Sequence, residues 1–210
     1  MLLAIDTSAG TSVAVVDLAR GVIAEHATDD TMRHAEVVGR LIADCLSDAA
    51  VPISGLSAVV GGMGPGPFTG LRVGIAAARV FALGAGVPFV PVVSHDALAF
   101  GRYQAGHTGP LVVVTDARRR EVNWSVYSGA DAVGLPIRVD GPGVARPAVL
   151  REPGWAHAEV PRFDAVAVSA GELGQVAELM WAHQRPFDAD TALYLRSPDV
   201  TVSNGPKRVS

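Results

Sequence analysis

Residues 61–72 read Gly-Gly-Met-Gly-Pro-Gly-Pro-Phe-Thr-Gly-Leu-Arg and join a short apolar run to a long helical pattern that carries almost no charge. Seven of these twelve residues are Gly or Pro, so the backbone path is tightly prescribed. A loop of this kind ahead of a helix first suggests phosphate binding. However, Pro67 and Phe68 follow Gly66 where a P-loop needs Lys and Ser or Thr, and no Gly-x-Gly-x-x-Gly register fits. The loop is therefore specific without being a standard nucleotide cradle.

The composition limits the kind of protein that this can be. With 210 residues, the chain suits one large domain or two small ones and can bury a sizeable core. Hydrophobic residues make up 49% and charged residues 18%, a low charge content that suggests additional buried surface in an assembly. The net charge of −4 gives no electrostatic reason for the chain to bind nucleic acid alone.

Three features bear on the compartment. The single cysteine, Cys45, excludes an intramolecular disulfide and suits a reducing environment. Asp6 interrupts the apolar run at the N-terminus, which lacks the basic start of a signal peptide. The longest apolar region, residues 73–93, carries Arg79, which would cost about 2.5–3.5 kcal/mol at the centre of a bilayer. We therefore expect a cytoplasmic protein with no membrane partner.

Hydrophobic periodicity in the first half predicts alternating strands and helices. The predicted strands are residues 2–5, 12–17, 22–27, 58–60 and 87–93. The predicted helices are residues 34–50, 71–85 and 94–104, the last with Ser94 as its N-cap. Residues 106–110, Gly-His-Thr-Gly-Pro, then mark a boundary.

After this boundary the pattern starts again. An apolar strand, residues 111–115, ends at Asp116 as the first strand ends at Asp6, 110 residues earlier (116 − 6). A return strand at 122–127, a strand at 165–168 and a helix at 172–183 follow, whereas residues 136–161 are predicted to form irregular loops. We thus predict a unit spanning residues 1–105 and a smaller unit spanning residues 106–210, which ends in a C-terminal tail.

Two sheet-and-helix units, each opening with a hairpin whose first strand ends in Asp, outline the actin, Hsp70 and sugar-kinase (ASKHA) superfamily. The predicted fold is therefore α/β, with two βββαβαβα-type units of which the second is reduced. Three further peptides accompany residues 61–72 in order and spacing: Ala4-Ile-Asp-Thr-Ser8, Asp116-Ala-Arg-Arg-Arg-Glu-Val122 and Tyr194-Leu-Arg196. With them, the chain closely resembles the TsaB (YeaZ) family from the N-terminus to about Arg196. Members of that family are partner subunits in the synthesis of threonylcarbamoyladenosine on tRNA, and the resemblance implies the same fold.

Two predicted helices, 34–50 and 71–85, are more apolar than packing on one sheet requires. They are either buried inside a compact domain or docked onto a second protein, and the residues leave both alternatives open. The resemblance to TsaB implies pairing with the catalytic subunit TsaD through these helices, and we expect a weak homodimer when the chain is alone. The predicted partner-binding residues are His34, Val37, Val38, Leu41, Ile42, Cys45, Arg72, Ile75, Ala76 and Arg79.

The two aspartates stand where active members of the superfamily place carboxylates beside metal and phosphate. Both turns depart from the usual Asp-x-Gly-Thr/Ser pattern, because Ser8 and Arg118 replace the glycine. Asp6 and Asp116 are therefore either degenerate phosphate-turn positions or carboxylates that accept hydrogen bonds from turn amides. On the adenosine side, Gly171 stands alone where a Gly-Gly pair is typical.

Other chemistry is sparse. TsaD-type relatives carry His-x-x-x-His as metal ligands, but four residues after His34 the chain has Val38, so we predict no metal site. Ser94-His95-Asp96 superficially spells a hydrolase triad, yet adjacent side chains diverge. The basic cluster Arg118–Arg120 is either an ordinary exposed turn or a contact for tRNA phosphates or a partner's carboxylate.

Two functions follow as hypotheses, and the motifs assign no catalytic residue. The first is a non-catalytic scaffold that binds TsaD, helps recruit the ATPase TsaE and meets tRNA only through the complex. In that case the chain binds no cofactor itself, while the complex uses ATP and a TsaD-bound metal. The alternative is an active ATP-dependent phosphotransferase or ATPase, a hypothesis that rests on Asp6 and Asp116.

Overall fold

Two mixed β-sheets form the framework of the computed structural model, which describes residues 1–30 and 33–196. The predicted C-terminal tail after residue 196 lies outside the described residues. The first sheet contains β1 Leu2–Asp6, β2 Thr11–Asp17, β3 Gly21–Thr28, β4 Ala58–Gly62 and β5 Phe89–Val92. Their order across the sheet is β3-β2-β1-β4-β5. The first three strands are antiparallel, while β4 and β5 run parallel to β1.

The second sheet repeats this arrangement with one strand fewer. It contains β6 Leu111–Asp116, β7 Val122–Ala130, β8 Pro136–Ala145 and β9 Arg162–Asp164, in the order β8-β7-β6-β9. Again the first three strands are antiparallel and the last runs parallel to the first. The repeated topology confirms the predicted actin-like α/β fold with a reduced second unit.

Within the described ranges, four α-helices cover the sheets: α1 His34–Asp48, α2 Phe68–Ala85, α3 Ser94–Gln104 and α4 Ala170–Ala182. Side chains alternate along β1, so Leu3 and Ile5 pack towards α1 and α2, whereas Leu2 and Ala4 pack towards α4. Helix α4 therefore covers the face of the first sheet opposite to α1 and α2. Helix α3 packs on β6, β7 and β8 of the second sheet and against α4. Each half thus supplies the helix that covers the sheet of the other half.

The structure corrects three local predictions. The last strand is Arg162–Asp164 and not residues 165–168, which form the approach to α4. Residues 136–145, predicted as irregular, form β8; a strand rich in Gly and Pro is tolerated there because β8 lies at the edge of its sheet. Ser94 does not cap α3, because its hydroxyl bonds to Asp6 and to the amide of Gly64.

Helix α2 also differs from its prediction. It begins at Phe68, three residues early, and ends before Gly86, whose left-handed φ of 70° closes the helix. Its length and composition would allow it to span a membrane, but Leu71, Ile75 and Ala78 lie buried against the rest of the chain. It is not buried on all sides, however, since Val80 and Leu83 are 69% and 83% exposed. Burial inside the domain therefore does not account for this side of α2 in the isolated chain, and docking onto a second protein stays a prediction.

Candidate functional site

The first hairpin turn holds the carboxylate of Asp6 inside the protein. Asp6 Oδ1 accepts hydrogen bonds from the Ser8 amide at 2.8 Å and the Ser8 hydroxyl at 2.6 Å. Its Oδ2 accepts one from the Ser94 hydroxyl at 2.5 Å. The residue is 1% exposed, and this burial raises the pKa of Asp6, although the hydrogen bonds of Ser8 and Ser94 oppose the rise. Both carboxylate oxygens are thus engaged by the chain itself.

The peptide of residues 61–72, called the Gly/Pro loop from here on, packs directly onto this turn. A Cβ at Gly62 would collide with Asp6 Oδ2, and one at Gly66 would lie 2.8 Å from the Ser8 Cα. Real Cβ atoms do not approach other heavy atoms so closely, so glycine is required at both positions for packing. The Thr7 hydroxyl also donates to the Gly70 carbonyl at 2.7 Å, at the start of α2. The glycines therefore serve the contact between loop and turn.

The second hairpin turn is open by contrast. Asp116 ends β6 with its side chain 67% exposed, and its Oδ1 accepts a hydrogen bond from the Arg118 amide at 2.9 Å. Arg118, Arg119 and Arg120 have φ values of 64°, 55° and 62°, in the left-handed region that residues with a Cβ seldom adopt. All three arginines are exposed. The turn therefore presents three arginines in a strained backbone, a feature that is often associated with function.

A cleft of about 460 Å³ lies where the two halves meet. The Gly/Pro loop and the start of α2 line one side, the arginine turn lines another, and the C-terminal segment closes the third. The Phe68 and Tyr194 rings are 4.7 Å apart, and the Arg196 side chain pairs with Glu121. The lining residues are Gly66–Thr69, Ala117, Arg118, Arg119, Asn123 and Tyr194–Arg196. Three of the peptides that mark the sequence thus converge on one cleft.

The region around Gly171, on the predicted adenosine side, is also occupied by a side chain of the chain itself. Glu25 on β3 accepts hydrogen bonds from the Ser169 hydroxyl at 3.0 Å and from the Gly171 amide at 3.3 Å, at the N-terminus of α4. A Cβ on Gly171 would lie 2.7 Å from a methyl carbon of Val22. A carboxylate of the chain therefore occupies the helix terminus that would otherwise favour an anionic ligand.

The three residues of the apparent triad diverge, as predicted. Ser94 contacts Asp6, as described above. His95 lies between the hydroxyls of Ser125 at 2.8 Å and Thr115 at 2.9 Å. Burial lowers the pKa of His95 to about 3, so the ring is neutral. Asp96 accepts a hydrogen bond from the Tyr127 hydroxyl at 2.6 Å, and burial raises its pKa to about 6. His95 and Asp96 thus join the two halves, Ser94 bonds within the first half, and the three side chains form no hydrolytic site.

Comparisons with known proteins agree with this geometry. The family model TsaD, tRNA N6-adenosine threonylcarbamoyltransferase, matches residues 11–134, more than half of the chain. The Escherichia coli tRNA threonylcarbamoyladenosine biosynthesis protein TsaB is 30% identical over 152 residues, which cover 72% of this chain and 64% of that protein. YeaZ from Pseudomonas aeruginosa superposes with a TM-score of 0.74 at 27% identity, over 93% of this chain and 99% of that one. The chain belongs to the TsaB (YeaZ) family.

Another relative of this TsaB-family chain carries no functional name. An uncharacterized protein of Mycobacterium tuberculosis is 39% identical over 181 residues, which cover 85% of this chain and 82% of that protein. The similarity therefore extends over most of both chains.

The predicted partner-binding residues of this TsaB-family chain fall into two groups. His34, Val38, Ile42, Cys45 and Ile75 are at most 7% exposed. His34 Nδ1 lies 2.7 Å from the Thr11 hydroxyl, and the Cys45 thiol donates to the Val13 carbonyl at 2.9 Å. Val37 and Leu41 are half-buried. Most of these side chains pack α1 and α2 within the isolated chain, and their role in binding a partner stays a prediction.

Only Arg72, Ala76 and Arg79 of the predicted set are exposed, and both arginines already have partners. The Arg72 guanidinium stacks on the Phe68 ring at 3.9 Å, and Arg79 donates to the Asp190 carbonyl at 3.2 Å. The Arg72 side chain is therefore already engaged with an aromatic ring of the same helix. Sequence reasoning missed Val80 and Leu83, the most exposed apolar side chains of α2. Their positions four and seven residues after Ala76, about one and two turns along the same side of the helix, were the available signal.

The structure also bears on metals. Among residues 1–30 and 33–196, no three His, Cys, Asp or Glu side chains gather as a metal site would require. His34 begins α1, and one turn later the helix has Val38 where a second histidine would be needed.

Proposed function

We propose that this TsaB-family chain is a non-catalytic subunit of the complex that transfers threonylcarbamoyl to the anticodon-adjacent adenosine of tRNA. It would act by binding a TsaD-type catalytic subunit and helping to recruit a TsaE-type ATPase. Its named relatives are biosynthesis proteins for this modification, which supports the pathway. In this proposal the complex is cytoplasmic, the chain binds no cofactor of its own, and ATP and a metal belong to the partners.

The observation that carries the non-catalytic role is the closure of the first turn. An aspartate that holds a metal or orients a phosphate must present a carboxylate oxygen to it, but both oxygens of Asp6 accept hydrogen bonds from Ser8 and Ser94. Glycines of the loop pack over the same turn. Opening it would leave buried hydrogen-bonding groups unpaired, at about 1–3 kcal/mol each. In an active phosphotransferase, we would expect this carboxylate to be accessible to a metal or a phosphate.

The exposed face of α2 supports the binding role. Ala76, Val80 and Leu83 follow one another at helical spacing, and Val80 and Leu83 are 69% and 83% exposed. We therefore propose this face, and not the buried residues of α1, as the contact surface for the TsaD-type subunit. The net charge of −4 favours contact with tRNA only through the complex.

One observation favours the alternative, an ATP-dependent phosphotransferase or ATPase. The cleft beside Asp116 is lined by arginines and has room for a small anionic ligand. Under this alternative, magnesium-dependent ATP binding should be measurable by calorimetry on the isolated chain and should be abolished by Asp116→Asn, which keeps the shape of the side chain.

The deciding experiment is reconstituted tRNA modification with TsaD, TsaE and the adenylate-forming enzyme, with and without this chain. We expect product only when the chain is present, and an unchanged rate for folded Asp6→Asn. Val80→Glu should reduce the rate and the affinity for TsaD at least tenfold, because it buries a charge in an apolar contact. Val166→Glu is the matched control, since Val166 is 94% exposed and precedes α4, which covers the opposite face of the first sheet from α2. Equal product without the chain would contradict the proposal.

A further inference from the structure

The C-terminal end of α4 carries an exposed aromatic side chain that the proposed function does not use. Trp181 is 51% exposed, although Leu173, Val176 and Ala177 on the same helix are buried. Leu18, in the turn between β2 and β3, is 60% exposed, and the Phe187 ring lies 5.9 Å from the Trp181 ring. Single exposed apolar residues are ordinary on a monomer, but a cluster around tryptophan is characteristic of an interaction site.

Trp181 stands between two grooves. The first, of about 250 Å³, is lined by residues of β1, the β2–β3 turn and α4, including Leu18 and Glu178. The second, of about 360 Å³, is lined by the residues that follow α4, including Pro186 and Phe187. Two depressions on either side of one aromatic ridge can hold two neighbouring side chains of an extended segment.

The charged side chains that line the first groove are both acidic. Glu178 is 9% exposed, and Asp17 borders it. Burial, and then the charge of Asp17, raise the pKa of Glu178 to about 7, while the terminal amine of Met1 and the Leu18 amide oppose the rise. Asp17 also forms an ion pair with Arg20 at 3.6 Å, outside the lining of the groove. Met1 also lines the groove and its amine already favours the charged form of Glu178, which a further cation would stabilise more.

We propose that the grooves beside Trp181 bind a short basic segment of a partner protein. A Lys or Arg side chain would lie over the indole, where cations are attracted to the ring face, with its aliphatic part on Leu18 and its charge at Glu178 and Asp17. An adjacent apolar side chain of the segment would enter the groove at Phe187. The two carboxylates repel phosphate, so a nucleic acid does not fit this surface.

The surface around Trp181 is separate from the first hairpin turn and from the exposed face of α2. Leu2 and Asp6 lie at opposite ends of β1, and Leu2 lines the groove whereas Asp6 lies at the first turn beside the Gly/Pro loop. Helix α4 covers the opposite face of the first sheet from α2. A segment bound at Trp181 therefore leaves the exposed face of α2 accessible, and the chain can hold two partners at once. This inference does not depend on the proposed function.

The test is selection of a random dodecapeptide library, displayed on phage, against the full-length chain, followed by anisotropy titration of the enriched peptides. We expect enriched peptides to pair Lys or Arg with apolar residues. Trp181→Ala and Glu178→Gln should each weaken binding about tenfold, the equivalent of roughly 1.4 kcal/mol. Leu18→Ala should weaken it several-fold, whereas Leu83→Ala, at the 83% exposed leucine of α2, should leave it unchanged.

Other outcomes would overturn the inference. They are acidic consensus peptides, affinities that are the same for wild type and Trp181→Ala, and no enrichment over the bare support. Binding of tRNA that is lost in Trp181→Ala would also contradict it, because it would identify a nucleic acid as the occupant. Circular dichroism and thermal unfolding of each variant confirm that a loss of binding is not a loss of folding.

Discussion

Single residues show where sequence reasoning about the site succeeds and where it stops. The departure of Ser8 from the phosphate-turn pattern correctly raised the possibility that Asp6 serves its own turn, and the structure shows the Ser8 hydroxyl on that carboxylate. The third hydrogen bond, from Ser94, comes from 88 residues away along the chain and has no local signal. The same holds for Glu25 at the N-terminus of α4. Contacts of this kind depend on packing between distant elements and not on neighbouring residues.

His95 gives a prediction at this scale. Burial between the hydroxyls of Ser125 and Thr115, with Arg138 nearby, lowers its pKa from 6.5 to about 3. At pH 7 the ring is neutral in both states, but as the pH falls below 6.5 only the unfolded chain gains the proton. At pH 5 the free energy of unfolding should therefore be lower by about 2 kcal/mol from this residue.

The measurement is urea unfolding of wild type and His95→Gln at pH 7 and pH 5. The variant loses stability at both pH values because its hydrogen bonds change. It should, however, lose about 2 kcal/mol less than wild type between pH 7 and pH 5. The raised pKa values of Asp6 and Asp96 are common to both proteins and cancel in this comparison. An identical pH dependence for the two proteins would contradict the assignment.

At the scale of elements, segments with a clear apolar pattern were predicted well, whereas two strands of the second sheet were not. The four described helices and the strands β1 to β7 follow from apolar periodicity. Strand β8 does not, because Gly141 and Pro142 resemble a loop. An edge strand tolerates such residues, and no local rule distinguishes it from a loop. The three-residue strand β9 was placed three residues late, because its burial depends on pairing with β6.

Helix α2 carries the prediction that belongs to this scale. Its exposed apolar face leads us to expect weak self-association of the isolated chain, detectable by light scattering across a concentration series. Val80→Glu should make the chain monomeric at all concentrations, whereas Val166→Glu should not. Leu41→Glu is a poorer test, because Leu41 packs in the core against the first sheet and its loss would destabilise the fold. An unchanged mass for Val80→Glu would exclude this face as the interface.

At the scale of the whole molecule, the sequence indicates two units but not how they depend on each other. The predicted boundary at residues 106–110 lies between α3 and β6, and the two units remain a prediction. In the structure, α3 from the first half packs on the second sheet, and α4 from the second half covers Leu2, Ala4 and Val16 of the first. The second half also sends its C-terminal segment back, where Asp190 pairs with Arg79. Nothing in the periodicity of α4 shows which sheet it covers.

This exchange of helices predicts that the halves do not fold independently. A fragment of residues 1–105 would expose the apolar face of its sheet that α4 covers, so we expect no cooperative thermal transition by circular dichroism. Mixing it with residues 106–210 should restore a cooperative transition. The control is the full-length chain with a protease site inserted at residues 106–110: cleavage there should leave the protein folded, because the exposed loop carries few core contacts. Cooperative unfolding of residues 1–105 alone would show instead that the first half is an autonomous domain and that α4 is a dispensable cover.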